Sequence, residues 1–167
     1  DMKAKNYRIV PLPTELADRA RTALRSGAAD HAVVTAEVDE TYPCRHCLRW
    51  VRSGEALILF PFASIEPGKP YAETGPIFVH AENYYRYRAT DDFQQDFRAG
   101  RSIRGSDAAE NMHDGEVVNG HGPDVVVEGL LAVPGVVFIQ VRSARRGYYT
   151  SGPEPEVTSA NFVRLRL

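Results

Sequence analysis

An α+β fold is predicted for this chain: a single domain over residues 1–167, built on one mixed, mostly antiparallel sheet of about seven strands with about three helices. Three observations predict it. The length of 167 residues suits one domain with a sizeable core. Hydrophobic residues at 43% and charged residues at 25% are the balance of a globular chain. Short apolar runs of strand length alternate with stretches that carry one apolar face at helical spacing.

The elements follow in order. Tyr7 to Leu12 reads as a short edge strand, because Pro11 cannot donate to a ladder. Thr14 is placed to cap a helix, with Glu15 and Asp18 in its first turns, Arg25 near its end and Gly27 just past it. Leu16, Ala20, Ala23 and Leu24 form its apolar stripe. His31 to Val38 reads as a strand. Ala56 to Phe62 is a continuous apolar run, expected to be buried on both faces and to end or bend at Pro61. Gly75 to His80 gives another strand. Thr90 opens a short helix that Gly100 ends, and Arg101 to Gly105 reads as a strand. Residues 106–121 are polar and glycine-containing, so they read as loop. Over Gly122 to Ala132 three consecutive valines favour strand, whereas Pro123 at a first helical position, followed by Asp124, favours helix. Val126, Val127, Leu130 and Leu131 share one helical face, and helix is chosen. Val136 to Val141 is the clearest strand, and Val157 to Leu167 supplies the last.

Charge and composition narrow the function classes. A net charge of -2 is no polyanion-binding signature, so no nucleic-acid partner is expected. No apolar run approaches the ~20 residues of a membrane span, so no membrane partner is expected. The first residues lack the apolar core of a signal peptide, and a cytoplasmic location with reduced thiols is expected. The basic residues are nearly all arginine, whose bidentate fork suits carboxylate and phosphate; an anionic small molecule is the partner this suggests.

The only two cysteines are spaced Cys44-x-x-Cys47, with His46 between them. As a zinc site this is half a ligand set, and His80, His113 or His121 could complete it only through the fold. As a redox dithiol it wants a helix start at Cys44, which Pro43 permits; Arg45 and His46 would favour the thiolate. As a packed turn it needs neither. No structural metal and no cofactor are expected from the ligand count. A second constellation lies in Pro70 to Glu82: Tyr71, Glu73 and Thr74 precede a Gly-Pro pair, while His80 and Glu82 lie two apart and are expected to share a strand face. Asn83-Tyr-Tyr-Arg-Tyr-Arg88 alternates aromatic and basic residues, which suits stacking on a base but equally an exposed segment. No phosphate-binding glycine loop and no GxSxG elbow occurs.

Pro43-Cys-Arg-His-Cys-Leu48, Gly54-Glu55 before an apolar strand, Pro70-Tyr-Ala-Glu-Thr-Gly-Pro-Ile-Phe-Val-His80 and the late Val141-Arg-Ser-Ala144 with its following Gly147 resemble an uncharacterised bacterial family, domain of unknown function 1203. The resemblance runs through most of the chain and transfers no activity. It implies variation where Cys47 and His80 stand, and it moves weight for any family-wide function to Cys44, Arg45, Tyr71, Gly75 and Pro76. Two hypotheses stand. In one, a small-molecule-binding or thiol-dependent enzyme uses Cys44 as nucleophile or redox centre and His80 with Glu73 for protons, while Arg45, Tyr71 and Thr74 bind the ligand. In the other, these residues pack the core of a non-catalytic interaction domain.

Overall fold

The computed structural model describes residues 7–88, 100–118, 122–144 and 149–155. The fold is α+β, as the sequence predicts. Its strands fall into two antiparallel sheets, and the chain gathers into two compact units.

One unit comprises residues up to Val10, the segment Ser64–Glu73 and the chain from Ala89 on. Its five strands are β1 (Tyr7–Val10), β5 (Arg101–Ser106), β6 (Met112–Val118), β7 (Phe138–Ser143) and β8 (Tyr149–Pro155). They lie in the order β1-β8-β7-β5-β6, so β1 is an edge strand, as expected, and it ends before Pro11. Helix α2 (Pro123–Leu131) packs on this sheet through Val126, Val127 and Leu130, over Ile103, Ile139 and Val141. Pro123 begins it and Asp124 sits in its first turn, the pair of signals that outweighed the valine run.

The expectation of a loop over 106–121 is corrected by β6. Met112 to Val118 pairs with β5, yet five of its seven residues are exposed, so no apolar alternation marks it. Gly115 suits the pairing: a Cβ there would stand 3.2 Å from the carbonyl oxygen of Ile103. The expected helix over residues 90–100 and the strand over 157–167 fall almost wholly outside the described residues.

The other unit comprises Pro11–Ala63 and Thr74–Arg88. It holds α1 (Thr14–Arg25), β2 (Ala32–Thr35), β3 (Ala56–Ala63) and β4 (Thr74–His80), with sheet order β2-β3-β4. Ala17 and Ala20 of α1, Leu57 and Ile58 of β3, and Ile77 and Val79 of β4 form its core. Burying each of the larger aliphatic side chains stabilises by about 1.5–3 kcal/mol relative to exposure. Strand β3 runs through Pro61 instead of ending there. Its partner β2 reaches only from Ala56 to Leu59, so Pro61 lies on a stretch with one neighbour, opposite Pro76, where a missing N–H is tolerated. The predicted single sheet fails here for a local reason. The outer edge of β4 is taken by a turn: the N–H of Arg45 donates to the carbonyl of Phe78 at 2.8 Å. Thr14 is not a cap either. Pro13 occupies that position, and the Thr14 hydroxyl is spent on His46 Nε2 at 3.0 Å.

Among the described residues, no helix is long and apolar enough to cross a membrane.

Candidate functional site

The site is built on the turn that covers β4. Pro43 and Trp50 form an isolated bridge, the N–H of Val51 donates to Tyr42 O, and that of Cys44 donates to Arg49 O. To close this loop Leu48 takes φ +52°, a left-handed conformation costly for a branched side chain, offset by burying that side chain at 3% exposure. The reversal puts both sulfurs on the inner side. Cys44 and Cys47 are buried at 0% and 4%.

His80, the last residue of β4, reaches the same spot. Register carries it there, since β4 pairs His80 with Leu57 at the start of β3. Its Nδ1 lies 3.5 Å from Cys47 Sγ, and the Cys44 sulfur lies close by. Donor atoms of Cys44, Cys47 and His80 all fall within 4.8 Å of one another, the one such three-residue convergence among the described residues. His80 is itself held from three sides. Arg21 of α1 donates Nε and Nη2 to its carbonyl at 3.2 and 3.1 Å. The Tyr84 ring stacks on the imidazole at 4.3 Å. Glu55 Oε2 lies 3.3 Å from Nε2.

Glu55 is oriented in turn. Arg49 Nη2 donates to Glu55 Oε1 at 2.6 Å and to Tyr84 Oη at 2.7 Å, and the Tyr84 hydroxyl donates to the same carboxylate at 3.2 Å. The carboxylate therefore accepts Nε2–H, which leaves the Nδ1 lone pair facing the sulfurs. Arg49 Nη2, also 3.3 Å from Nε2, is then a neighbour and not a donor to the ring.

The backbone favours anionic sulfur. The N–H groups of Cys47 and Arg49 in this turn each favour the anionic form of the sulfur beside them. Burial pushes the Cys44 thiol up, but its interactions with Cys47 and His80 outweigh it and hold the thiol well below its ordinary value. Cys47 is raised, first by its hydrogen bond to Cys44 and then by burial. Burial lowers His80, yet its contacts with Cys44 and Glu55 raise it overall. The Arg49 hydrogen bond holds Glu55 down at about 2.

The other sequence candidates scatter. Arg45 is buried at 3% exposure beside β4. Thr74 opens β4, six residues from His80 and so about 20 Å along the strand. It borders a shallow groove with Leu59, Pro61 and Pro76. Tyr71 and Glu73 belong to the five-stranded unit, where Tyr71 is exposed and Glu73 is bound by Arg142. Glu82 does not share a strand face with His80. Strand β4 stops at His80, Glu82 is exposed, and it borders a pocket of about 200 Å³ with Glu55, His80 and Tyr84. Sequence reasoning missed Glu55, Arg49 and Tyr84 as partners of His80. Only the β3–β4 register, which sets Glu55 just before Ala56, brings them together.

No curated protein and no solved structure matches the chain. Residues 41–152 match the family model described as protein of unknown function (DUF1203), a span that includes the whole Cys44–Cys47–His80 convergence. Matched over more than half its length, the chain belongs to that family.

Proposed function

We propose that the chain binds one divalent, thiophilic metal ion, zinc by its chemistry, through Cys44 Sγ, Cys47 Sγ and His80 Nδ1. The observation that carries this reading is the convergence of three buried sulfur and nitrogen donors from two separate segments. Each further feature suits the same ligand. Two thiolates and a neutral imidazole around a 2+ ion sum to zero charge, which a buried site tolerates where a bare charge would be costly. Imidazole and thiolate are the donors zinc prefers, at about 2.0–2.1 and 2.3 Å. An imidazole whose far nitrogen donates to a carboxylate is the usual outer support of a metal-bound histidine. Counting sequence ligands stopped at two, and the third comes through β4. Because the family resemblance implies variation at Cys47 and His80, this function belongs to chains that hold all three donors.

The test is metal content of reduced, purified protein. One zinc per chain is expected, exchangeable for cobalt with thiolate-to-metal charge-transfer absorption. Cys44→Ser and Cys47→Ser should each abolish both. A reduced, folded chain that takes up no zinc from a stoichiometric solution sinks the reading. The outer support is testable separately: Glu55→Gln should weaken zinc binding by about 10–100-fold, measured by competition with a chelator, while leaving the cobalt spectrum thiolate-dominated. Unchanged affinity would remove Glu55 from the centre.

A second reading rests on the Cys44 sulfur lying within 4.8 Å of the His80 imidazole, whose Nε2 stands 3.3 Å from Glu55. In it Cys44 is a nucleophile, His80 its base and Glu55 the orienting group, with an anionic small molecule held by Arg45. Glu55 then takes the place that Glu73 held in the sequence reading. This version is favoured if metal-free protein labels rapidly at Cys44 with iodoacetamide near pH ~6, well below the ~8.5 of a free thiol.

A further inference from the structure

The zinc centre proposed above has a second property, which rests on that reading: we infer that oxidation by hydrogen peroxide closes a Cys44–Cys47 disulfide and ejects the metal, so that the centre is a reversible peroxide-responsive metal store. Three observations carry it. First, two of the three donors are neighbouring sulfurs of one tight turn, within 4.8 Å of each other, and the chain has no other cysteine to compete. Second, the third donor comes from a different element, so pairing of the sulfurs leaves the ion one protein ligand out of three. Third, His80 is anchored without the metal. Arg21 holds its carbonyl, Glu55 and Tyr84 hold its ring, and β4 remains paired to β3. Metal loss therefore leaves the sheet and the turn in place, ready to rebind.

The chemistry balances with the peroxide as sole oxidant. One thiolate attacks a peroxide oxygen, the O–O bond breaks, and a sulfenic acid and a hydroxide ion form. The other thiolate attacks that sulfur, the S–S bond forms, and a second hydroxide leaves. Two electrons pass from the sulfurs to the peroxide, two protons from solvent convert both hydroxides to water, and the zinc departs unchanged in charge. The nearby second sulfur resolves the sulfenic acid before further oxygen adds, which is what keeps the step reversible.

The experiment begins with reduced chain loaded with zinc, whose stoichiometry is recorded before any oxidant is added. Hydrogen peroxide is then introduced with a chromogenic zinc indicator present. One zinc should appear per chain, in step with loss of both thiols and a mass decrease of two hydrogens. Dithiothreitol should restore the thiols and the zinc binding. Retention of zinc through peroxide treatment overturns the inference while leaving the zinc reading intact, and so does release accompanied by added oxygen atoms in place of a disulfide. Failure to load zinc at the first step overturns both.

Discussion

Zinc at about a thousand times its dissociation constant should raise the unfolding free energy of the unit that holds Cys44 by about 4 kcal/mol, and Cys44→Ser should remove that gain. The size follows from mass action alone, because an ion that binds the folded state and not the unfolded one stabilises by RT ln(1 + [L]/Kd). The structure says why the unfolded state competes poorly. Cys44 and Cys47 stay close in any chain, but His80 lies 33 residues beyond Cys47, so the third donor has to be recruited against loop-closure entropy. Folding prepays that closure by setting β4 beside the turn through the Arg45–Phe78 hydrogen bond. Urea unfolding of reduced protein with and without zinc measures the difference. Residual binding by the unfolded CxxC pair would shrink the gain. A gain under about 1 kcal/mol at that excess, or an equal gain in Cys44→Ser, would mean that zinc does not engage this centre.

The fold class was legible because its signals are local. Pro123 and Asp124 outvoted three valines correctly, since a first-turn proline and an acid at a helix start act on the helix directly. Strand β6 was illegible because an edge strand with one neighbour need bury almost nothing, and periodicity reports burial. The site shows the same division. The turn signal of Cys44-x-x-Cys47 is short-range and readable. The pairing of His80 with Glu55 is a matter of register between two strands, and no spacing in the sequence encodes it. Thr14 marks the boundary between the two cases. Its hydroxyl has the right chemistry for a helix cap, but a histidine 32 residues away competes for it and wins.

Glu73→Ala should destabilise the five-stranded unit by about 2–3 kcal/mol, whereas Glu73→Leu combined with Arg142→Met should lie close to wild type. Arg142 of β7 is buried at 2% exposure and gives its guanidinium to Glu73, to Ser64 Oγ at 2.8 Å and to Gln140 Oε1 at 3.3 Å. Arg104 of β5 approaches the same carboxylate at 3.8 Å. Removing the acid takes a counter-charge from a buried cation, for which about 3–5 kcal/mol is typical; the half-exposed Glu73 side chain, at 46%, lets water recover part of that. Removing both partners deletes the desolvation cost with the attraction, which is why the double replacement comes out nearly neutral. The pair also joins two separate stretches of the chain. Pro70 to His80 supplies Glu73, Val141 to Ala144 supplies Arg142, and Ser64 and Glu73, the two ends of the intervening segment, are both held by that one arginine. A double-mutant cycle by urea denaturation decides the matter. If Glu73→Ala alone stays within about 0.5 kcal/mol of wild type, the range of an ordinary surface substitution, the ion pair is not what fastens this segment to the sheet.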